Sequence, residues 1–250
     1  MKRFFAALMA AALGITVAFG LGACGKDDTL KVGYTVYPPM NYTDENGNFV
    51  GFDTELALET GKILGKEIEF VEIVWDNKIF DLNTGNIDIV WNGMTITDEL
   101  KENMEISEPY LENRQVVVCQ ISEAEKYKTK DDLVKASEII VEKGSAGASA
   151  VGATSAADKI RTADAQKDTL LEVKTSASKI AVIDYLMAQV IVGEGTDYSD
   201  LTFVDVGFED EQFGIGFKKG NTELCEQVNN AIKTLKEKGK FAEIQAKYYG

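Results

Sequence analysis

Residues 30 to 35, LKVGYT, form a short apolar run that reads as a buried strand. In VGFDTELALETGKILG, Leu56, Ile63 and Leu64 recur at helical spacing and Gly65 marks the stop. A strand at IEFVEI (68 to 73), a short helix around Ile79 to Leu82 and a strand at IDIVW (87 to 91) follow. Strands alternating with helices imply right-handed crossovers and a mostly parallel sheet. Beyond Pro109 and Tyr110 the pattern begins again. QVVVCQ (115 to 120) is an extended run, EIIVEK (138 to 143), LLEV (170 to 173) and KIAVID (179 to 184) read as strands, and an alanine-rich helix starts near Ala148. FGIGF (213 to 217) is a second extended run. Leu224, Val228, Ala231, Ile232 and Leu235 then share one face of a helix with Asn221 as its N-cap. Gly239 ends that helix, and FAEIQAKYY makes a short last one.

These elements predict an α/β fold of two lobes, each a mixed, mostly parallel sheet flanked by helices. Lobe 1 takes residues 30 to 115, with 214 to 250 returning to it, and lobe 2 takes 116 to 213. The runs Val116 to Cys119 and Phe213 to Phe217 would be the hinge strands, and a ligand would lie in the cleft between the lobes. Ahead of the fold, Lys2 and Arg3 precede an apolar stretch too short to span a bilayer, so residues 1 to 23 read as a signal peptide. Leu21-Gly22-Ala23-Cys24 resembles a lipobox, which makes Cys24 the lipidated residue and 24 to 29 a short linker. The expected location is extracytoplasmic, on a lipid anchor at the cell membrane.

Charge and rare residues narrow the chemistry. With 41 acidic against 26 basic residues the net charge is −15, which disfavours nucleic acid and anionic lipid and mildly favours cationic ligands. The chain has no histidine, so histidine-based triads and most catalytic zinc sites are excluded. Cys119 and Cys225 lie far apart without metal spacing, which leaves one disulfide between them open and a disulfide framework unexpected. A monomer without metal or cofactor is expected.

Several ordered motifs carry a resemblance that spans residues 30 to 250: VGYTVYPPMNY, NGNFVGFDTELA, GNIDIVWNGMTITDE, ISEPY, VEKGSAG, AVIDYLMA, and KGNTEL with KEKGKFAEIQAKYYG. The chain is similar to extracellular solute-binding proteins of the polar amino acid ABC importer class (family 3 type). That resemblance implies a periplasmic-binding-protein-like fold, a small-molecule ligand and a membrane permease as partner. It also implies roles for individual residues. Tyr37 and Trp75 would pack on the ligand side chain, Asn92, Gly93 and Thr95 would form a loop offering backbone and hydroxyl groups, Ser145 would start a helix facing an anion, and Asp184 would receive the α-ammonium. Trp91 reads as core.

Two departures stand out. The family's Thr-x-x-Arg pattern places an arginine on the ligand carboxylate, and here Thr97-Asp98-Glu99-Leu100 puts leucine in that slot. Ser176-Ala177-Ser178-Lys179 also stands where the family often shows Gly-x-x-Asp. Either the ligand is an amine or quaternary cation, held by Asp184 and aromatic faces, or its carboxylate is taken by the Ser145 helix start with a lysine or arginine such as Lys101, Lys143 or Arg114. A dehydratase or lyase on the same fold is an alternative, with Asp53, Glu55, Glu99 and Glu102 as acids, although capping and solvation explain all four. A sensory lipoprotein without a transporter is a further one.

Overall fold

The computed structural model describes residues 28–177 and 179–249, so the signal segment and Cys24 lie outside the described residues. The chain begins with β1 (Thr29–Tyr34), the small hairpin β2 (Tyr42–Thr43) and β3 (Phe49–Val50), and α1 (Phe52–Leu64). Next come β4 (Glu67–Glu72), a tight turn at Trp75–Asn77, α2 (Lys78–Thr84), β5 (Ile89–Thr95), α3 (Asp98–Asn103) and β6 (Met104–Ile106). The long β7 (Leu111–Gln120) leads to β8 (Ile139–Glu142), α4 (Ala146–Gly152), β9 (Ile160–Ala163), α5 (Gln166–Lys174), β10 (Ile180–Asp184), α6 (Tyr185–Ile191) and β11 (Leu201–Val204). β12 (Asp210–Lys218), α7 (Thr222–Glu237) and α8 (Lys240–Tyr249) complete it.

The strands run in the order β4-β1-β5-β12-β7-β10-β8-β9, with β6 added on β12 and β11 on β7. β1 is parallel to β4 and β5, and β8 is parallel to β9 and β10, whereas β7 and β12 run antiparallel to their neighbours. The parallel strands connect through helices, as crossovers require. Strands with neighbours on both sides are apolar runs: every residue of β8 and β10 is buried, as is Ile89 to Met94 in β5.

The two halves of the sheet meet where Leu111–Arg114 of β7 pairs with Asp210–Phe213 of β12. The β7 segment lies upstream of the run expected to carry the hinge, and the β12 segment overlaps the other expected run at Phe213. Val116 to Cys119 instead sits between β10 and β11, and Gly214 to Phe217 pairs with β5 and β6, while Phe213 pairs with both Leu111 and Thr95 at the junction.

LLEV, expected as a strand, is helical. Gln166, Thr169, Leu170 and Val173 are its buried residues, the i, i+3, i+4, i+7 stripe of a helix, and this helix carries the chain from β9 to its parallel partner side at β8 and β10. The strand of this unit is Ile160–Ala163, which sequence patterning did not single out. In α1, Leu56 is buried but Ile63 is 42% exposed. Asn221 precedes α7 without a side-chain cap bond, and the packing of Val228, Ala231, Ile232 and Leu235 against the core holds that helix. Cys119 and Cys225 are free, buried thiols rather than a disulfide. No helix among the described residues is long and apolar enough to cross a membrane.

Candidate ligand site

β5 carries Asn92, Gly93 and Thr95, so these residues lie in a strand and not in the expected loop. Asn92 is fully committed: its Oδ1 accepts from Thr35 N and Oγ1 at 3.0 and 2.8 Å, and its Nδ2 donates to Thr35 O and Asn41 Oδ1 at 2.9 and 2.7 Å. The Gly93 N–H donates to Asp53 Oδ2 at 2.7 Å. Gly93 has φ +58°, and a Cβ there would come within 2.8 Å of Tyr37 Cε1, which is how the aromatic ring gains its seat. Asn92 and Gly93 therefore build the floor under Tyr37, with the Asn92 side-chain amide and the Gly93 N–H already used by the protein. Thr95 Oγ1 donates to Glu211 Oε2 at 3.0 Å.

Asp53 corrects a second expectation. It is not a solvated helix-start acid but has 0% exposure, and Tyr110 OH donates to its Oδ2 at 2.9 Å. Burial raises its pKa to about 7, against hydrogen bonds that pull the other way.

Asp184, at the end of β10, is 3% exposed and anchors the other side. Its Oδ1 accepts from Asn113 Nδ2 and, at 2.9 Å, from Gln115 Nε2, while Gln166 Nε2 donates to Oδ2. Asn113 and Gln115 also donate to Glu211 Oε2, at 3.1 and 2.9 Å, so two carboxylates share the same amides. Burial first and the nearby Glu211 second raise the Asp184 pKa to about 7. Glu142, at the end of β8, is pushed up to about 8 by burial and by Asp184, and its Oε1 has no hydrogen-bond partner. The Tyr37 hydroxyl is likewise buried without a partner, and burial and then the Asp184 charge raise its pKa well above the ordinary value.

Trp75 is buried beside Leu82, Ile87 and Met94, and Leu100 packs on that same apolar group. Leu100 N donates to Thr97 Oγ1 at 3.2 Å, so Thr97 caps α3. Ser145 Oγ accepts from Ala148 N at 3.1 Å and caps α4. The basic residues weighed as substitutes for an arginine are engaged: Lys101 pairs with Asp98 at 3.0 Å, Lys143 with Asp76 at 2.9 Å, and Arg114 with Asp205 at 3.1 Å while lying over the Tyr185 ring. The buried lysine is one that patterning passed over, Lys78, whose Nζ donates to the carbonyls of Trp75 and Gly144.

An open cleft of about 950 Å³ lies between Thr95 to Thr97, α4 and the segment 208 to 212, with Thr95 and Glu211 on its wall, and Tyr37, Trp75, Asn92, Gly93, Leu100, Ser145 and Asp184 are not among its lining residues. Lys78, Glu142, Glu211 and the amides of Asn113, Gln115 and Gln166, which gather around these groups, were not legible in the sequence. The only hint in sequence was that Glu142 and Asp184 both close apolar strands.

The sequence pattern of bacterial extracellular solute-binding proteins, family 3, matches residues 30–250. A probable histidine-binding protein of Neisseria gonorrhoeae is 30% identical over 263 residues, covering 100% of this chain and 96% of the relative. Among solved structures, an ancestral arginine-binding protein bound to arginine superposes with a TM-score of 0.83 at 33% identity, covering 89% of this chain and 99% of the other. An ancestral amino acid-binding protein described as a precursor of cyclohexadienyl dehydratase gives 0.79 at 33% identity, with 89% and 96% covered.

Proposed function

Because the chain belongs to the bacterial extracellular solute-binding proteins, family 3, we propose that it captures a small amino-acid-like solute between its two lobes, seats the solute's ammonium group at Asp184, and delivers it to an ABC permease. The observation that carries this reading is the Asp184 carboxylate, buried and held by three side-chain amides, with the unpartnered Tyr37 hydroxyl and Glu142 Oε1 as neighbours. A desolvated carboxylate gains most from a cation that enters with the ligand. The relatives named for histidine and arginine bind molecules that carry such an ammonium, which supports the same class here.

In this reading Tyr37 and Trp75 pack on the solute, Thr95 and Ser145 face it from opposite lobes, and Leu100 adds apolar surface where a guanidinium is absent. The lobes comprise residues 30 to 115 with 214 to 250, and 116 to 213. Rotation is absorbed where β7 and β12 pass between them, and contacts with both lobes favour the closed state. Cys24 carries the lipid that keeps the receptor at the membrane, and the receptor works as a monomer without a cofactor.

Thermal unfolding of the purified protein against the twenty amino acids and a matched set of amines tests the proposal. A ligand at about 100 times its dissociation constant stabilises the fold by ~2.7 kcal/mol. At least one compound should raise the melting temperature, and Asp184→Asn should abolish that rise. Absence of any shift, or an unchanged shift in the variant, would overturn it.

One observation favours a second reading, an enzyme on a binding-protein fold. Glu142 holds its proton to about pH 8 beside the site, as a general acid must. Conversion of a bound compound to product, lost in Glu142→Gln, would establish it.

A further inference from the structure

Lys78 is 5% exposed. Its Nζ donates to Trp75 O at 3.2 Å and to Gly144 O at 3.1 Å and lies 4.6 Å from the centroid of the Trp75 ring. The carboxylates whose charge reaches it are Glu142, Asp76 and Glu99, and none of them forms an ion pair with it among the described residues. Asp76 is taken by Lys143, Glu99 is on the exposed face of α3, and Glu142 keeps its proton readily. An ammonium has three N–H donors, and two neutral carbonyls occupy two of them. Two carbonyls and an aromatic face offset only part of the loss of hydration of a buried charge.

The position of this cation is informative. Trp75 is the aromatic expected on the ligand, Gly144 directly precedes Ser145, and Glu99 directly precedes Leu100. Lys78 thus bonds the segment of Trp75, expected on the ligand side chain, and the turn before Ser145, expected to face an anion, and it lies within electrostatic reach of Glu99 beside Leu100. We infer that Lys78 is the specificity-determining residue that grips the carboxylate of the solute, doing from α2 what residue 100 cannot do as a leucine. With Asp184 calling for a cation and Lys78 for an anion, the site fits a zwitterion, an α-amino acid, in preference to a simple amine. The inference rests on the proposed ammonium site at Asp184. An ammonium is a point charge without the planar fork of a guanidinium, so it fixes the carboxylate's charge more than its orientation.

The test compares each amino acid with its decarboxylated amine, arginine with agmatine and histidine with histamine, by calorimetric titration of the purified protein. The native protein should prefer the amino acid by roughly 30-fold or more, the scale of one buried charged pair. Lys78→Met should erase that preference while leaving affinity for the amine nearly unchanged, Lys78→Arg should keep it, and Lys78→Met with Leu100→Arg should restore it. Equal weakening of amino acid and amine in Lys78→Met would show Lys78 to be only a strut between the lobes and would overturn the inference, as would a native protein that binds both equally. If Lys78→Met does not fold, Lys78→Arg and Leu100→Arg decide it: retained preference in the first, with tighter amino acid binding in the second, supports the clamp, and lost preference in the first overturns it. Binding of neither member by the native protein would instead remove the ammonium site on which the inference stands.

Discussion

Asp53 and Asp184 are both buried carboxylates with pKa values raised to about 7, yet they do different work. Asp53 acts inside lobe 1, where its Oδ2 ties the Gly93 N–H and the Tyr110 hydroxyl to α1 while its Oδ1 is buried without a partner. Asp53→Ala leaves both donors buried without an acceptor and should destabilise the protein by about 2–3 kcal/mol, read as a fall in the urea midpoint. In the proposed reading Asp184 is instead the charge that the ligand completes. For Asp53, Asp184 and Glu142 the folded state holds its proton more tightly than the unfolded chain does, because burial raises all three pKa values. Their protonation therefore stabilises the fold fully below the unfolded pKa values near 4, and that stability is lost as pH rises through about 7 to 8. The unliganded protein should melt at a lower temperature at pH 8 than at pH 5. A bound ammonium keeps Asp184 ionised and should narrow that difference.

At the scale of elements, α5 shows how a local pattern can mislead. LLEV is short, apolar and β-compatible, but the buried set extends back to Gln166 and has helical spacing. Leu170 is 0% exposed and Leu171 is 56% exposed. Leu170→Ala should cost about 2–5 kcal/mol and Leu171→Ala no more than ~0.5 kcal/mol in chemical denaturation, a contrast set by which side of the helix meets the sheet. β5 makes a similar point at Gly93. Strand geometry runs on through Thr95 because β12 pairs with it there, and the glycine admits Tyr37 against the strand. Gly93→Ala combines positive φ with a collision and should lower both melting temperature and ligand affinity.

Over the whole molecule, the halves meet at the β7–β12 pairing and again where the turn 75 to 77 with α2 touches the Lys143 to Ser145 turn. The Asp76–Lys143 pair there is substantially exposed, with side chains 37% and 59% accessible. Exposed pairs contribute about 0–1 kcal/mol, so Asp76→Asn should change the dissociation constant by less than about fivefold and diminish its salt dependence. In the proposed reading, closure then draws on the ligand's contacts with both lobes more than on this pair.

The sequence by itself determined the alternation of strands and helices, the family and the presence of two units. These follow from periodicity and ordered motifs, which record the burial of each residue relative to its near neighbours. Only the tertiary structure decided which polar groups are already used, as with the Asn92 amide, the Gly93 N–H and Asp53 Oδ2, and which stay buried without a partner, as with the Tyr37 hydroxyl, Asp53 Oδ1 and Glu142 Oε1. The physical reason is distance along the chain: Asp184 is held by residues 113, 115 and 166, and Lys78 meets Gly144. The field and hydration at a group depend on all that folding brings beside it, and no local spacing encodes that sum.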